Sequence, residues 1–408
     1  MGVRRDKGEG SIFRNAKGLW VGIVELPPGP DGKRKRKQVT SKDKDALKAK
    51  MSALRSALDE GLDPYSDQVT VATWCDHWLR ELAPRHVRPN TLQNYRSAVK
   101  AYITPTIGST KLHDVKPHHI REVHEAVLDA GRSTGTALNT HWTMSAAFQS
   151  AVEEQMLSRN PCERVRPPKV IRQQRGALSV EQAKHLLSTC MEHDDPMTSR
   201  WAAALLLGGR QGELLGLRWS HVDFEAGTLD FEYALDRLPL IHGCNDTCGA
   251  KWVSRCPRPV FDVPDWFEYE PLVPPLALVD PKTDRSRRVV PMPAPLQVML
   301  ERHRELSPRN EFDLVWATPD GLPVSPARDL AAWRAAVSRA GLPPVVLHEA
   351  RHTTASLLAA LGVDETVRMA LMGHSSSEVA RKYVHTDQSL ARSALGKLSD
   401  AILPGVDV

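Results

Sequence analysis

The sequence has few cysteines and no long hydrophobic run. Six cysteines in 408 residues are too few for a disulfide-stabilised secreted scaffold. No stretch approaches the roughly 18 apolar residues of a membrane-spanning helix. The N-terminus, M-G-V-R-R-D, lacks the apolar segment of a signal peptide, and Asp6 stands where a myristoylation site needs Ser or Thr. These absences predict a cytoplasmic protein with no membrane partner.

The charge of the chain is unevenly distributed. Its composition, 41% apolar and 25% charged, is that of an ordinary globular protein, and its length suits two or three domains. The net charge is +5, but residues 1–60 hold fifteen Lys/Arg against eight Asp/Glu, so the remaining 348 residues sum to −2. A basic arm on a near-neutral body is typical of a nucleic-acid partner, although a solubilising tail has the same composition.

Residues 1–62 are predicted to form a small DNA-binding module. Two apolar runs flank an Asn-Ala-Lys-Gly turn, which indicates a hairpin. A third strand and a helix capped by Ser41 follow, and the inner face of that helix offers Ala46, Met51, Leu54 and Leu58. Five consecutive cations favour DNA contact over simple protection of a sheet edge: Lys33, Arg34, Lys35, Arg36 and Lys37.

Residues 69–166 read as an all-helical domain. Trp74 and Trp78 lie four apart on one helix face and are assigned to its core. Cations near helix starts and in loops, such as Arg88 and Lys100, suit a module that grips a DNA backbone. Residues 167–175 form a basic, proline-bearing linker whose DNA-contact candidates are Arg172 and Arg175.

The last domain is predicted to span residues 176–408. Ser179 and Gln182 form a capping-box pattern at the start of its first helix. Further on, Arg210 follows two glycines that allow a ligand to approach its guanidinium closely. Arg suits bidentate phosphate binding. Glu213 could orient Arg210 by an ion pair; the alternative is a simple helix salt bridge.

A second candidate region, residues 281–291, reads P-K-T-D-R-S-R-R-V-V-P. This pattern predicts a strand, a tight turn and a strand, with Lys282 on the first arm. A mobile ammonium there could protonate a leaving oxygen, the general-acid half of a transesterification. A single hairpin lysine is more often simply solvated.

Residues 347–385 place three basic side chains ahead of a tyrosine. His348 and Arg351 are three apart, so a helix would put them on one face. His374 follows on a turn, and Tyr383 lies near the start of another helical run. A phenol beside several cationic donors suits attack on a phosphate, because the donors stabilise charge on its non-bridging oxygens. Each residue alone could be an ordinary surface cation or a half-buried tyrosine.

The ordered set resembles the active site of the tyrosine recombinases, the phage-integrase family of site-specific DNA recombinases. The surrounding motifs match as well, namely G-G-R-Q-G-E, P-K-T-x-x-S-x-R, H-E-A-R-H-T, M-G-H-S and Y-V-H. Two departures, Ala350 and Met372 in place of the usual Leu, touch no reacting group. The resemblance covers the whole chain, from arm-binding module through core-binding domain to catalytic domain.

The resemblance implies a role for each residue. Tyr383 would attack a scissile phosphate, form a 3′-phosphotyrosyl link and release a 5′ hydroxyl. Arg210 and Arg351 would hold the non-bridging oxygens, and Lys282 would protonate the 5′ oxygen. His348 would be the general base or a proton relay.

The resemblance further makes His374 a phosphate donor. No cofactor is required, because the phosphotyrosyl bond conserves the energy for rejoining. The implied partners are double-stranded attachment sites of core and arm type, three further copies in a homotetramer on DNA, and an excision or bending factor. The place of action would be the nucleoid of a bacterial host cell.

The resemblance and the helical patterns together predict an α+β, multidomain fold. It comprises a three-stranded sheet plus helix, an all-α core-binding domain and a mostly α catalytic domain with a small β-sheet. The tail carries Leu390, Leu395, Leu398 and Ile402 at helical spacing. The resemblance favours packing of this tail on a neighbouring protomer over packing on its own domain.

An insertion at about residues 237–280 lies outside the usual family plan. It contains H-x-C-x3-C-x7-C, formed by His242, Cys244, Cys248 and Cys256. This spacing admits a structural Zn²⁺ site, but it is irregular beside paired C-x2-C sites and favours a surface loop with reduced thiols. The insertion should lie beside the DNA.

Two other functions fit the same set of residues. A type IB-like topoisomerase would use the same tyrosine chemistry as a monomer, but the arm module and the apolar tail argue against it. A catalytically silent DNA-binding regulator on the same scaffold would not need all six active-site positions filled by competent residues, as they are here.

Overall fold

The computed structural model describes residues 11–26, 35–59, 68–170, 176–245, 247–281, 287–372 and 388–403. The predicted DNA-contact residues Lys33, Arg34, Arg172 and Arg175 lie outside these ranges. The chain divides into two compact units, residues 1–172 and 173–408.

The first unit begins with an antiparallel sheet in the order β1-β2-β3, formed by Ser11–Arg14, Trp20–Leu26 and Lys35–Ser41. The Asn15 side chain accepts two backbone amides in the first turn, and Gly18 there has φ +77°. The predicted hairpin and third strand are confirmed.

Helix α1 (Lys44–Asp59) packs on β2. Leu47 and Met51 are its buried residues, and Gly22 admits Met51, since a Cβ there would lie 2.2 Å from its sulfur. Ala46, expected inside, is exposed, and Leu47 takes that place. The other three predicted positions are confirmed, because Met51 is buried and Leu54 and Leu58 pack against the same cluster.

The N-terminal cap of α1 also differs from the expectation. The Asp43 carboxylate accepts the amides of Asp45 and Ala46 at 3.0 and 2.8 Å, whereas Ser41 accepts only the amide of Asp43. Both residue types cap helices equally well, so the sequence did not distinguish them.

The rest of the first unit is helical and has its own core. Trp74 and Trp78 are buried in it, as predicted, and the Trp74 indole donates to the Ala147 carbonyl. Single π-helical turns, Trp78–Leu82 and Val99–Ile103, extend the second and third helices. The helices are α2 (Val71–His77), α3 (Pro89–Ala98), α4 (Thr104–Ile107), α5 (Pro117–Asp129) and α6 (Thr134–Glu153).

Two buried histidines join α5 to α6. The His124 Nε2 and His141 Nδ1 atoms are 3.1 Å apart. Burial, and secondarily the charge of His141, lower the pKa of His124 to about 4, and burial lowers the pKa of His141. The pair is therefore neutral at pH 7, with one ring donating to the other.

Acidification is expected to destabilise the first unit through His124. Its folded pKa lies below its unfolded value, so the unfolded chain binds more protons between about pH 6.5 and pH 4 and stability is lost as pH falls through that window. From about pH 7 to pH 5 the loss should be about 1–2 kcal/mol. Urea unfolding of His124→Gln at both pH values should show a smaller loss than wild type. The exposed-histidine control, His118→Gln, should match wild type, and equal losses in all three proteins would contradict this assignment.

The second unit is built around α8 (Thr198–Leu207), whose residues are almost all buried. Ser179 and Gln182 form the predicted capping box at the start of α7 (Val180–Glu192). Trp201 of α8 and Trp333 of α11 (Pro326–Arg339) meet edge to face at 5.3 Å between ring centroids. The helices are α7 (Val180–Glu192), α8 (Thr198–Leu207), α9 (Gln211–Leu215), α10 (Ala294–Leu306), α11 (Pro326–Arg339), α12 (Leu347–Ala360), α13 (Glu365–Met372) and α14 (Gln388–Ile402).

The strands of the second unit form three small sheets among the described residues, rather than the single sheet expected. Their orders are β11-β5-β4, β6-β10-β9 and β7-β8, all antiparallel. The strands are β4 (Val222–Asp223), β5 (Thr228–Phe231), β6 (Ala234–Arg237), β7 (Leu240–His242), β8 (Pro259–Phe261), β9 (Tyr269–Pro271), β10 (Leu276–Val279) and β11 (Arg288–Pro291). The α+β class itself is confirmed.

The hairpin predicted over residues 281–291 is described only in its second strand, β11, which pairs with β5. Its turn and nearly all of its first arm fall on residues 282–286, outside the described part of the chain, so the pairing of its two arms stays a prediction. The preceding strand, β10, pairs with β6 and β9 in another sheet.

Helix α14 packs on its own domain. Leu395, Leu398 and Ile402 lie in the main core of the second unit, while Leu390 is 54% exposed. The expected packing of this helix on a neighbouring protomer is therefore wrong for its apolar face. None of the described helices combines the length and apolar composition that spanning a bilayer requires.

Candidate active site

The loop from α8 to α9 presents Arg210. Gly208 ends α8 in the left-handed region, at φ +57°, and a Cβ there would lie 2.4 Å from the Met372 sulfur. A side chain at this position would therefore strain the backbone and force Met372 to move. Arg210 follows as the N-terminal cap of α9.

Glu213 holds Arg210 in place. This buried carboxylate accepts the Arg210 backbone amide at 2.9 Å and its Nη1 at 2.5 Å, which confirms the orienting ion pair. The Arg210 side chain remains 40% exposed, so its guanidinium is still accessible to a ligand.

Arg288 places another guanidinium beside Glu213, and the sequence predicts no role for it. Its Nη2 donates to Glu213 Oε2 at 3.0 Å and its Nε to the Leu371 carbonyl at 3.2 Å. It also lies over the Phe231 ring, 4.9 Å from the centroid. The one available signal was its place as the last residue of P-K-T-x-x-S-x-R.

The charges of these arginines keep Glu213 ionised. Burial pushes the pKa of Glu213 upward, but the charge and hydrogen bond of Arg288, together with the amide and guanidinium of Arg210, outweigh it. The pKa of Glu213 thus ends below its usual value. One carboxylate fixes two guanidinium groups.

Arg351 lies buried on α12. Its Nη1 donates to the Gly208 carbonyl at 2.7 Å, and its Nη2 donates to the Met372 carbonyl. Burial, then repulsion from Arg210 and Arg288, lower its pKa to about 10, so it remains charged at neutral pH. Three arginines far apart in sequence therefore meet in one pocket.

His348 lies one turn before Arg351 on α12. Its side chain is exposed, unlike that of Arg351, and its ring centroid is 5.5 Å from that of His352. The predicted helix is confirmed, and it carries both residues.

The remaining three predicted catalytic residues, Lys282, His374 and Tyr383, lie outside the described residues. The structure does describe residues that adjoin them in the chain. Met372, bound to Arg351 through its carbonyl, directly precedes the segment that carries His374 and Tyr383, and Arg288 begins the strand that follows Lys282.

A second, buried hydrogen-bond network connects the first residue of α9 to α11 and α8. The Gln211 amide donates to Asp329 Oδ2 and to the Pro326 carbonyl, both at 2.9 Å. Arg200 donates to the same carboxylate oxygen at 2.9 Å and is fully buried between the Trp201 and Trp316 rings. The residue after Arg210 is thus anchored to a buried ion pair that no local sequence pattern signals.

The described candidates for DNA contact differ in exposure. Lys35 and Arg36 are exposed on β3, and Lys100 is exposed on its π-helical turn. Arg88 is half-buried at the start of α3. Lys37 is only 7% exposed, which removes it from the expected basic surface; as a strand residue it points to the face opposite Arg36.

The structure brings all four predicted metal-ligating residues together. The ligand atoms of His242, Cys244, Cys248 and Cys256 lie within 4.8 Å of one another. The three cysteines are free.

The chain matches two family models and several known proteins. Residues 70–127 match the model of the phage integrase N-terminal SAM-like domain, and residues 276–389 match that of the phage integrase family. An integrase of Saccharopolyspora erythraea is 31% identical over 97% of each chain. A XerC-like tyrosine recombinase of Caldanaerobacter subterraneus is 25% identical, over 96% of this chain and 99% of its own.

Two solved structures show the same fold. The Tn1549 transposon integrase in complex with transposon right end DNA has a TM-score of 0.60 at 18% identity, covering 81% of this chain and 100% of its own. A lambda integrase tetramer bound to a Holliday junction has a TM-score of 0.52 at 19% identity, covering 90% and 96%.

Proposed function

This chain belongs to the phage integrase family of tyrosine recombinases and is a site-specific DNA recombinase; on that premise we propose that its three-arginine pocket binds the scissile phosphate and that Tyr383 attacks it. The observation that carries the proposal is the meeting of Arg210, Arg288 and Arg351 around one buried carboxylate. A phosphodiester needs such fixed donors, because charge develops on its non-bridging oxygens during attack.

Arg210 and Arg351 face the phosphate and have different roles. Arg210 is partly exposed and pre-oriented by Glu213, so it approaches the phosphate as a bidentate donor. Arg351 is buried and already donates to two carbonyls; it supplies fixed positive charge at the floor of the pocket. Arg288 acts through Glu213 and is a positioning residue.

The bond changes balance without any cofactor. The Tyr383 oxygen bonds to phosphorus, its proton passes to His348 or onward to water, and the bond from phosphorus to the 5′ oxygen breaks. Lys282 gives the leaving 5′ oxygen its proton, and His374 donates to the phosphate. The reverse attack by a 5′ hydroxyl rejoins a strand.

The substrate and assembly follow from the same premise. We propose core and arm attachment sites of a phage or mobile element as the DNA, a homotetramer as the acting form, and an excision or bending factor as an accessory partner. The neighbouring Tn1549 and lambda structures, bound to a transposon end and a Holliday junction, support this choice. The bacterial relatives favour action in bacterial cytoplasm, at the nucleoid.

The two alternatives are less well supported. A silent regulator would not need the charged pocket that Glu213 keeps in place, and the relatives named above are integrases and recombinases. A type IB-like topoisomerase would not need the N-terminal sheet module of exposed cations.

The test is to trap the covalent intermediate. A nicked suicide duplex, carrying a core site selected from genomic fragments by retention on the protein, should yield a protein–DNA adduct on a denaturing gel. Proteolysis and mass spectrometry should then locate the nucleotide on Tyr383. Tight, site-specific binding without any adduct would overturn the enzymatic proposal in favour of the silent regulator, and an adduct on another residue would overturn the choice of nucleophile.

A further inference from the structure

The insertion is attached to the sheet that packs beside α9. Arg237 of β6 pairs with Leu276 of β10, so the chain between them leaves this hairpin and returns to it. A Cβ on Gly212 would lie 2.7 Å from the Leu235 carbonyl, which shows how closely β6 approaches the helix that Arg210 caps.

The outer part of the insertion has almost no core of its own. Among the described residues of the range 239–260, Cys256 alone is buried, and Ile241, Trp252 and Val260 are about half exposed or more. A segment that buries so little apolar surface cannot offset its conformational entropy without a cross-link or a metal.

Four potential metal-ligand atoms lie close together in this part of the insertion. The His242 Nδ1 lies 3.4 Å from the Cys248 sulfur and 3.9 Å from the Cys244 sulfur. The sulfurs of Cys244 and Cys256 are 3.5 Å apart. His242 ends β7 and Cys256 shortly precedes β8, so the cluster lies at the loop end of a two-stranded hairpin, in the chain that connects the two strands.

These distances fit tetrahedral zinc coordination, and the distance between the sulfurs is too long for a disulfide. With Zn–S near 2.3 Å and Zn–N near 2.0 Å, tetrahedral ligands stand about 3.8 Å apart for two sulfurs and about 3.5 Å for sulfur and nitrogen. A disulfide would need about 2.05 Å between sulfurs. The observed separations therefore leave room for one ion at the centre.

The surrounding backbone suits a metal-binding turn. The Arg258 amide donates to the Cys256 sulfur at 3.4 Å, a bond that offsets the charge of a ligating thiolate. Gly249, directly after Cys248, has φ +61°. At Gly243, between two ligands, a Cβ would lie 2.4 Å from the Val260 side chain and 2.6 Å from the Arg258 carbonyl.

We propose that His242, Cys244, Cys248 and Cys256 bind one Zn²⁺ ion that holds the insertion folded. Four protein ligands close the coordination shell, so the ion is structural and activates no water. The inference stands on the insertion alone and does not depend on the recombinase chemistry.

Metal content tests the proposal directly. The full-length protein, purified without chelators, should contain one zinc per chain by plasma mass spectrometry. Cys244→Ser and Cys256→Ser should lose it, whereas Ser254→Ala, an exposed neighbour within the insertion, should retain it. Cobalt(II) replacement in wild type should give the charge-transfer absorption of thiolate ligands.

A second measurement covers the case in which a cysteine variant fails to fold. Stripping wild type with a mercurial and a chelator should release one zinc, and trypsin should then cut after the exposed Lys251 and Arg255 about tenfold faster or more. Adding ZnCl₂ should restore protection.

Several results would overturn the inference. They are wild type without stoichiometric metal but with three freely reactive insertion thiols, a Cys244–Cys256 disulfide in the purified protein, a different stoichiometric metal, or zinc retained by both serine variants. Cleavage by trypsin that is unchanged after metal release would show that the ion does not hold the insertion.

Discussion

Tyr383→Phe is expected to abolish the covalent protein–DNA adduct without weakening DNA binding. Removal of the hydroxyl leaves no atom that can bond to phosphorus, and removal of a catalytic nucleophile typically lowers the rate by at least about 10⁴-fold. The arginine pocket is untouched by this change, so the phosphate should still bind. The measurement is single-turnover adduct formation on a suicide duplex, with DNA binding followed in parallel.

A second tyrosine of the same unit provides the matched control. Tyr233 stacks under the Arg218 guanidinium at 5.5 Å, and its pKa is raised by burial first and then by the charge of Glu232. It is therefore a poor nucleophile, and Tyr233→Phe should form adduct at the wild-type rate. Loss of adduct in Tyr233→Phe, or its persistence in Tyr383→Phe, would contradict the assignment.

Arg351→Lys is expected to slow strand cleavage by about 10²–10³-fold, the usual cost of removing one fixed donor from a site of developing charge. The two Arg351 nitrogens reach the carbonyls of Gly208 and Met372, which lie on different elements. A lysine ammonium is a single point and cannot span both while still facing the phosphate. Conserving the charge should therefore not rescue the rate.

Single-turnover cleavage at saturating protein measures this loss, and thermal unfolding reports whether the variant is folded. Arg339→Lys is the control, because Arg339 makes a partly exposed ion pair with Asp195 at 2.9 Å in the same unit. It should cleave like wild type. The role given to the two guanidinium nitrogens of Arg351 would be refuted if Arg351→Lys cleaved DNA at the wild-type rate. It would also be refuted if the unfolded fraction of this variant fully explained its slower cleavage.

Short-range patterns in the sequence predicted local structure well. The capping box of Ser179 and Gln182, the core positions of Trp74 and Trp78, and the Arg210–Glu213 pair all depend on residues at most four apart. At such separations helix geometry alone decides which side chains meet.

Long-range contacts could not be predicted in the same way. Arg288 and Glu213 are 75 residues apart, and Gln211 and Asp329 are 118 apart. Arg288 lies on β11 and Asp329 on α11, so only the tertiary fold brings these residues to α9. Lys37 belongs to the same class, because its burial depends on what covers that face of the sheet.

An amphipathic pattern likewise predicts a helix but not what it packs against. Leu395, Leu398 and Ile402 predict α14 and its apolar face. The same apolar face could pack against its own chain or against a neighbouring subunit. In this structure it packs against the core of its own chain.

Bringing Arg210, Arg288 and Arg351 together is electrostatically unfavourable in the protein without DNA. Arg351 is repelled by two guanidinium groups more strongly than it is attracted by Glu213, and burial deprives it of hydration. The negative charge of an arriving phosphate offsets that repulsion when it binds. Part of the affinity for the substrate is therefore the release of unfavourable energy already present in the unliganded enzyme, and any small oxyanion in solution competes for the same relief.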